Sequence, residues 1–167
     1  MRRIALLLLL AACETHRVEH TDTETQAPPV AQAKPATGHV EFVRAPAGDV
    51  AAWVRGQRAE LQARGRSILL YEGAGWCEPC VAFHHAAEAG KLDAAFPTLT
   101  LLEFDADIDA ERLALAGYGS RLIPLFAAIG EDGRGTGRQI EGGIKGDGAV
   151  DEIVARLRGL LDGHALN

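Results

Sequence analysis

Two cysteines separated by two residues are the side chains of this sequence best suited to chemistry. Cys77 and Cys80 lie in the segment GWCEPC, residues 75–80. The pattern before this segment predicts a buried strand at 67–71, and the pattern after it predicts a helix at about 77–89. A Cys-x-x-Cys motif at a strand-to-helix junction is typical of a redox pair.

The position of each cysteine predicts its role. Cys77 stands at the predicted helix N-terminus, where free N–H groups and the helix dipole stabilise an anion. Cys77 is therefore predicted to be the attacking thiolate. Cys80 follows one turn later and is predicted to be more deeply buried. It is therefore predicted to resolve the mixed disulfide that forms when Cys77 attacks a substrate disulfide. Pro79 suits the first helical turn, because the N–H groups of that turn have no acceptor within the helix and proline lacks an N–H.

Other chemistries remain open for the same thiols. Cys80 and His84 are one helical turn apart, so Cys77, Cys80 and His84 form a candidate soft-metal site. The alternative function is therefore a copper- or metal-binding chaperone. A third possible function is that of a binding module in which the disulfide is purely structural. The preferred interpretation needs no metal and no cofactor beyond the Cys77–Cys80 disulfide.

The elements that must position the cysteines alternate along the chain. Their order is β-α-β-α-β-α-β-β-α, which predicts an α/β fold with a mixed sheet and helices on both faces. Aromatic residues are only 5% of the chain, so we expect a mainly aliphatic core. Strands are predicted at 39–43, 67–71, 98–104, 125–129 and 136–141, and helices after Asp49 and at 77–89, 109–116 and 149–161.

The first residues differ in composition from the rest. Residues 1–12 combine a basic start with a short apolar run, which predicts a signal peptide that is too short to remain as a membrane span. Residues 13–38 are rich in Thr, Glu, Pro and Ala, which predicts a disordered tether. The folded domain is predicted at 39–167.

The junction LAAC, residues 10–13, resembles the lipobox of bacterial lipoproteins. The resemblance implies cleavage before Cys13 and acylation of that residue, and several acyl chains anchor a protein stably. The expected location is the cell envelope, facing the periplasm. Glu14 after the cysteine favours the outer membrane.

The charge of the chain excludes one class of partner. The formal net charge is −6 and the isoelectric point is about 5.5. Nonspecific nucleic-acid binding needs a basic surface, so no nucleic-acid partner is expected.

Two distant motifs resemble the thioredoxin superfamily. WCEPC, residues 76–80, matches its Trp-Cys-x-x-Cys, and YGSRLIP, residues 118–124, matches the segment that carries its cis-proline. The resemblance covers about residues 39–163 and implies a thioredoxin-like three-layer α/β/α sandwich. It also implies that Pro124 is cis and faces Cys77. Trp76, Ile123 and Pro124 would then bind substrate, with the Ile123 backbone pairing with an extended peptide.

The sequence departs from the family where a buried Asp normally accepts a proton. Tyr71 occupies that position and Glu72 follows it, while Glu103 falls near the position of the usual Lys partner. A buried carboxylate can act as a base, so Glu103 and Glu72 are candidate proton-relay residues.

The expected function is a membrane-anchored thiol:disulfide oxidoreductase. The acidic Glu78 should stabilise the Cys77 thiolate less than a neutral residue would, and this makes the pair less oxidising. The residues therefore favour reduction of disulfides. The expected partners are disulfide-containing envelope proteins and a membrane electron donor.

Overall fold

A computed structural model of the protein describes residues 38–163. The predicted signal peptide, Cys13 and the tether up to residue 37 lie outside the described residues. The observed element order is the predicted one. The elements are β1 (Glu41–Arg44), α1 (Val50–Ala63), β2 (Ser67–Gly73), α2 (Glu78–Glu88), β3 (Leu99–Asp105), α3 (Ala106–Leu115), β4 (Leu125–Ile129), β5 (Gly135–Glu141) and α4 (Ala149–Leu161).

The strands form one mixed five-stranded sheet. Their order is β1-β3-β2-β4-β5. β1, β3 and β2 are parallel, whereas β4 is antiparallel to β2 and β5 is antiparallel to β4. Helices α2 and α4 pack on one face, and α1 and α3 pack on the other. This arrangement is the three-layer α/β/α sandwich that the sequence predicted.

Alternation along β2 distributes its residues between the two faces of the sheet. Leu69 and Tyr71 belong to the core beneath α2 and α4, and Leu70 belongs to the core beneath α1 and α3. Because both faces are covered, the middle of the strand, residues 68–71, is a continuous apolar run.

The core is mainly aliphatic on both faces, as expected, but one face also carries a group of contacting aromatic rings. Tyr71 contacts Phe126 at a ring-centroid distance of 5.1 Å, and Phe126 contacts Phe83 at 5.0 Å. Phe42 completes the cluster, 5.7 Å from Tyr71. These four of the nine aromatic residues lie on the α2 side of the sheet, and composition carries no information about such clustering.

Helix boundaries follow local capping. Asp49 caps α1 as predicted, because its carboxylate accepts from the N–H of Ala52. Helix α3 begins at Ala106, three residues before the predicted start at Asp109. The Asp105 carboxylate accepts from the N–H of Asp107, and this cap starts the helix directly at the end of β3.

Candidate active site

The two cysteines meet where β2 leads into α2. Cys77 is the N-cap residue of α2, and Cys80 lies in the first turn with Pro79 before it. They form a disulfide with a Cα–Cα distance of 5.2 Å. Cys80 is 1% exposed and Cys77 is 5% exposed, the predicted order of burial.

The cis-proline loop lies against the disulfide. The Ile123–Pro124 peptide bond is cis, which confirms the prediction, and Ile123 packs against the cluster that contains both cysteines. The loop is held from β5, because the Glu141 carboxylate accepts from the N–H of Arg121 at 2.7 Å. The Pro124 carbonyl also accepts from the N–H of Gly142 at 2.9 Å.

Trp76 is exposed beside the disulfide. It is 69% exposed, and its indole N–H donates to both carboxylate oxygens of Asp107, at 3.0 and 3.1 Å. Leu122 and Ile144 are also exposed apolar side chains. Sequence reasoning missed Asp107, Leu122 and Ile144. For Asp107 the only signal in the sequence is the regular spacing of Asp105, Asp107 and Asp109.

Glu78 links the active-site helix to the loop before α4. Its Oε1 accepts from the N–H of Gly146 at 2.8 Å. The carboxylate is therefore held at the start of α2, adjacent in sequence to Cys77. No local pattern of residues predicts this long-range contact.

Tyr71 points toward the active-site end of β2. A Cβ added at Gly73 would overlap the Tyr71 hydroxyl, so the ring lies along the strand over Gly73. Burial, reinforced by the charge of Glu103, raises the pKa of the Tyr71 hydroxyl. Tyr71 therefore stays protonated at neutral pH.

Glu103 lies on the same face of the sheet as Tyr71, its register partner. Its Oε1 is 3.0 Å from Nε2 of His84, and its Oε2 is 3.9 Å from Nη1 of Arg44. A cavity of about 370 Å³ is lined by Glu103, His84, Tyr71 and Cys80. The structure therefore brings Glu103 to the same cavity as Cys80.

Glu72 lies on the other face of the sheet. It is 3% exposed, and its Oε2 accepts from the Ser120 hydroxyl at 2.8 Å. Burial raises the pKa of this carboxyl; the hydrogen bond from Ser120 opposes the rise, and the nearby Asp109 adds to it. Glu72 thus supports the segment before the cis-proline and does not line the cavity beside Cys80.

Residues 38–163 contain neither a metal-ligand cluster nor a membrane-spanning helix. Within this range no group of three or more His, Cys, Asp or Glu side chains is arranged to hold a metal ion. No helix in the same range is long and apolar enough to cross a membrane.

The strand order, the disulfide at the start of α2 and the cis-proline beside it define a thioredoxin-like fold. No protein-family model matches the sequence, and no curated protein matches it significantly. Among solved structures, the chain is similar to thioredoxin O1 from Arabidopsis thaliana in the oxidized state, with 17% identity, a TM-score of 0.46, and coverage of 74% of this chain and 97% of that chain. It is also similar to thioredoxin O2 from the same plant, with 18% identity, a TM-score of 0.44, and coverage of 75% and 97%.

Proposed function

We propose that the protein is a thiol:disulfide oxidoreductase that works through Cys77 and Cys80. The observation that carries the proposal is the Cys77–Cys80 disulfide at the N-terminus of α2, beside the cis Ile123–Pro124 peptide. A helix N-terminus stabilises the thiolate that must attack. The disulfide joins residues that are only three apart in the chain.

The reaction has two exchange steps. In the reduced protein the Cys77 thiolate attacks one sulfur of a substrate disulfide, and the other substrate sulfur leaves as a thiolate. Cys80 then loses its proton and attacks Cys77 in the mixed disulfide. The Cys77–Cys80 disulfide forms, and the substrate leaves with both sulfurs reduced.

Substrate binding is proposed at the surface around the disulfide. Trp76 offers an exposed aromatic face whose indole is anchored by Asp107. Ile123 and Pro124 would bind the backbone of an extended substrate segment. A segment of this kind presents unpaired N–H and C=O groups, which a neighbouring backbone can satisfy.

Reduction is the proposed direction. Glu78 is the residue after Cys77, and its hydrogen bond to Gly146 holds a carboxylate there. A carboxylate close to Cys77 opposes a second negative charge. The reduced form is then less stabilised, and the pair is a better reductant than one without this charge.

We further propose that Glu103 belongs to the proton relay of Cys80, since both line one cavity. The proposed setting is the bacterial cell envelope, with acylated Cys13 as the anchor and the domain facing the periplasm. The proposed partners are disulfide-containing envelope proteins and a membrane reductase that restores the dithiol.

Reduction of insulin by the purified protein, with dithiothreitol as electron source, tests the activity. We expect Cys77→Ala to abolish it, whereas Cys13→Ser is the matched control and should retain it. Activity that survives in Cys77→Ala would sink the proposal. Tight copper binding by the reduced protein, without insulin reduction, would favour the metal-binding alternative.

A further inference from the structure

The inference concerns His84, a residue to which the proposed function assigns no role. We propose that the His84–Glu103 pair accepts the proton of Cys80 through water in the cavity that they share. The proposal rests on the proposed function, because it describes the resolving step of the same exchange.

The position of His84 is fixed from several sides. It follows Cys80 by four residues in α2, so both side chains lie on one face of the helix. Its ring stacks on Phe42 at a centroid distance of 4.0 Å and an interplanar angle of 20°. Tyr71 packs against it edge-on at 5.3 Å.

Glu103 orients the imidazole. Nε2 of His84 lies 3.0 Å from the Glu103 carboxylate, and the two side chains are 27% and 19% exposed. A carboxylate that accepts from one ring nitrogen leaves the other nitrogen free to take a proton.

The cavity supplies the route. Its volume of about 370 Å³ accommodates several waters, and its walls include Cys80 together with both members of the pair. Bridging waters in a polar cavity make hydrogen bonds nearly as favourable as direct ones. The other titratable or charged groups facing the cavity are Arg44 from β1, Tyr71 from β2, Asp105 from β3, and His85 and Glu88 from α2.

These other groups are poorer acceptors. Burial keeps the Tyr71 hydroxyl protonated, since it raises the pKa of that group. Arg44 is permanently charged and accepts no proton. Asp105 is already paired with the Arg44 guanidinium at 3.3 Å. His85 and Glu88 are exposed to solvent. The partly buried His84–Glu103 pair is the remaining base in the cavity.

The proton balance of the step is explicit. The thiol proton of Cys80 passes through water to the pair, and the Cys80 sulfur attacks the Cys77 sulfur of the mixed disulfide. The bond from Cys77 to the substrate breaks, and the substrate thiolate takes a proton from solvent. The pair returns its proton to water before the next cycle.

Single-turnover kinetics separate this step from the first attack. The reduced protein is mixed with a symmetrical aromatic disulfide whose released thiol is coloured. The first release reports the attack by Cys77, and the second reports resolution by Cys80. Both phases are followed between pH 5 and pH 9.

We expect His84→Gln to slow the second phase on the order of 10²-fold near neutral pH, the usual range for loss of a general base. The pH dependence of this phase should also flatten, which a merely structural role would not cause. Glu103→Gln should slow the second phase less, because the imidazole remains. His85→Gln, the neighbouring histidine outside the pair, is the matched control and should leave both phases unchanged.

A second phase of wild-type rate and wild-type pH dependence in His84→Gln would overturn the proposal. If circular dichroism shows that His84→Gln is unfolded, Glu103→Gln carries the test, and an unchanged second phase overturns it equally. Absence of the first phase in the wild type, or its persistence in Cys77→Ala, would instead refute the proposed function.

Discussion

The contact between Tyr71 and Gly73 makes Gly73→Ala a sharp test of the packing beside Cys80. A Cβ at residue 73 would overlap the Tyr71 hydroxyl and lie 2.6 Å from Cζ and 3.1 Å from Cε1. The ring cannot simply turn away, because Phe126 packs against it at 5.1 Å and Phe83 at 6.4 Å. Overpacking of this kind costs about 1–3 kcal/mol.

Gly75→Ala is the matched control in the same loop. A Cβ at residue 75 would have no atom within 4 Å. Such a substitution is close to neutral, or stabilises by up to about 1 kcal/mol, because it reduces the entropy of the unfolded chain. The two variants therefore add the same methyl group, at residue 75 in open space and at residue 73 in space that Tyr71 fills.

Urea and thermal unfolding of the oxidised protein measure the difference. For a domain of this size 1 kcal/mol corresponds to about 4 °C in Tm, so Gly73→Ala should melt about 4–12 °C below the wild type. Adding Tyr71→Phe should recover only part of the loss, since the ring carbons still meet the new Cβ. Equal stabilities of Gly73→Ala and Gly75→Ala would refute this account of the packing.

Three further predictions concern other contacts. Because the pKa of Glu72 is raised in the folded state, its contribution to stability is present at low pH and is lost as the pH rises through that pKa. Glu72→Gln should therefore gain stability over the wild type between pH 4 and pH 8 in urea unfolding, and a pH-independent difference would contradict this. Tyr118→Phe should cost about 1–3 kcal/mol, because the Gly133 carbonyl loses a buried hydrogen bond of 2.8 Å; calorimetry showing no loss would argue against it. Asp49→Ala should cost about 1 kcal/mol through loss of the α1 cap, measured by the same unfolding.

Much of the fold was predictable because its signals are local. Strand and helix periodicity predicted all nine elements of residues 38–163, and most boundaries agree within two residues. The start of α3 was missed, because an aspartate can cap a helix or sit in its first turn, and the spacing alone did not distinguish Asp105 from Asp109.

The candidate site was only partly predictable. The Cys-x-x-Cys motif identified its two cysteines as the candidate redox pair. The resemblance to thioredoxins predicted the cis-proline. Glu103 and Glu72 were predicted together as relay candidates, although the structure places them on opposite faces of the sheet. They belong to different strands, and only the register between these strands shows which carboxylate reaches the cavity of Cys80.

The sequence by itself therefore determined the element order, the Cys-x-x-Cys pair and the helix N-terminus on which Cys77 sits, because each depends on residues close together in the chain. The tertiary structure alone decided the surroundings of the pair. The contact of Glu78 with Gly146, the anchoring of Trp76 by Asp107 and the pairing of His84 with Glu103 join residues from separate elements. Such contacts depend on sheet register and helix packing, which no local pattern of residues specifies.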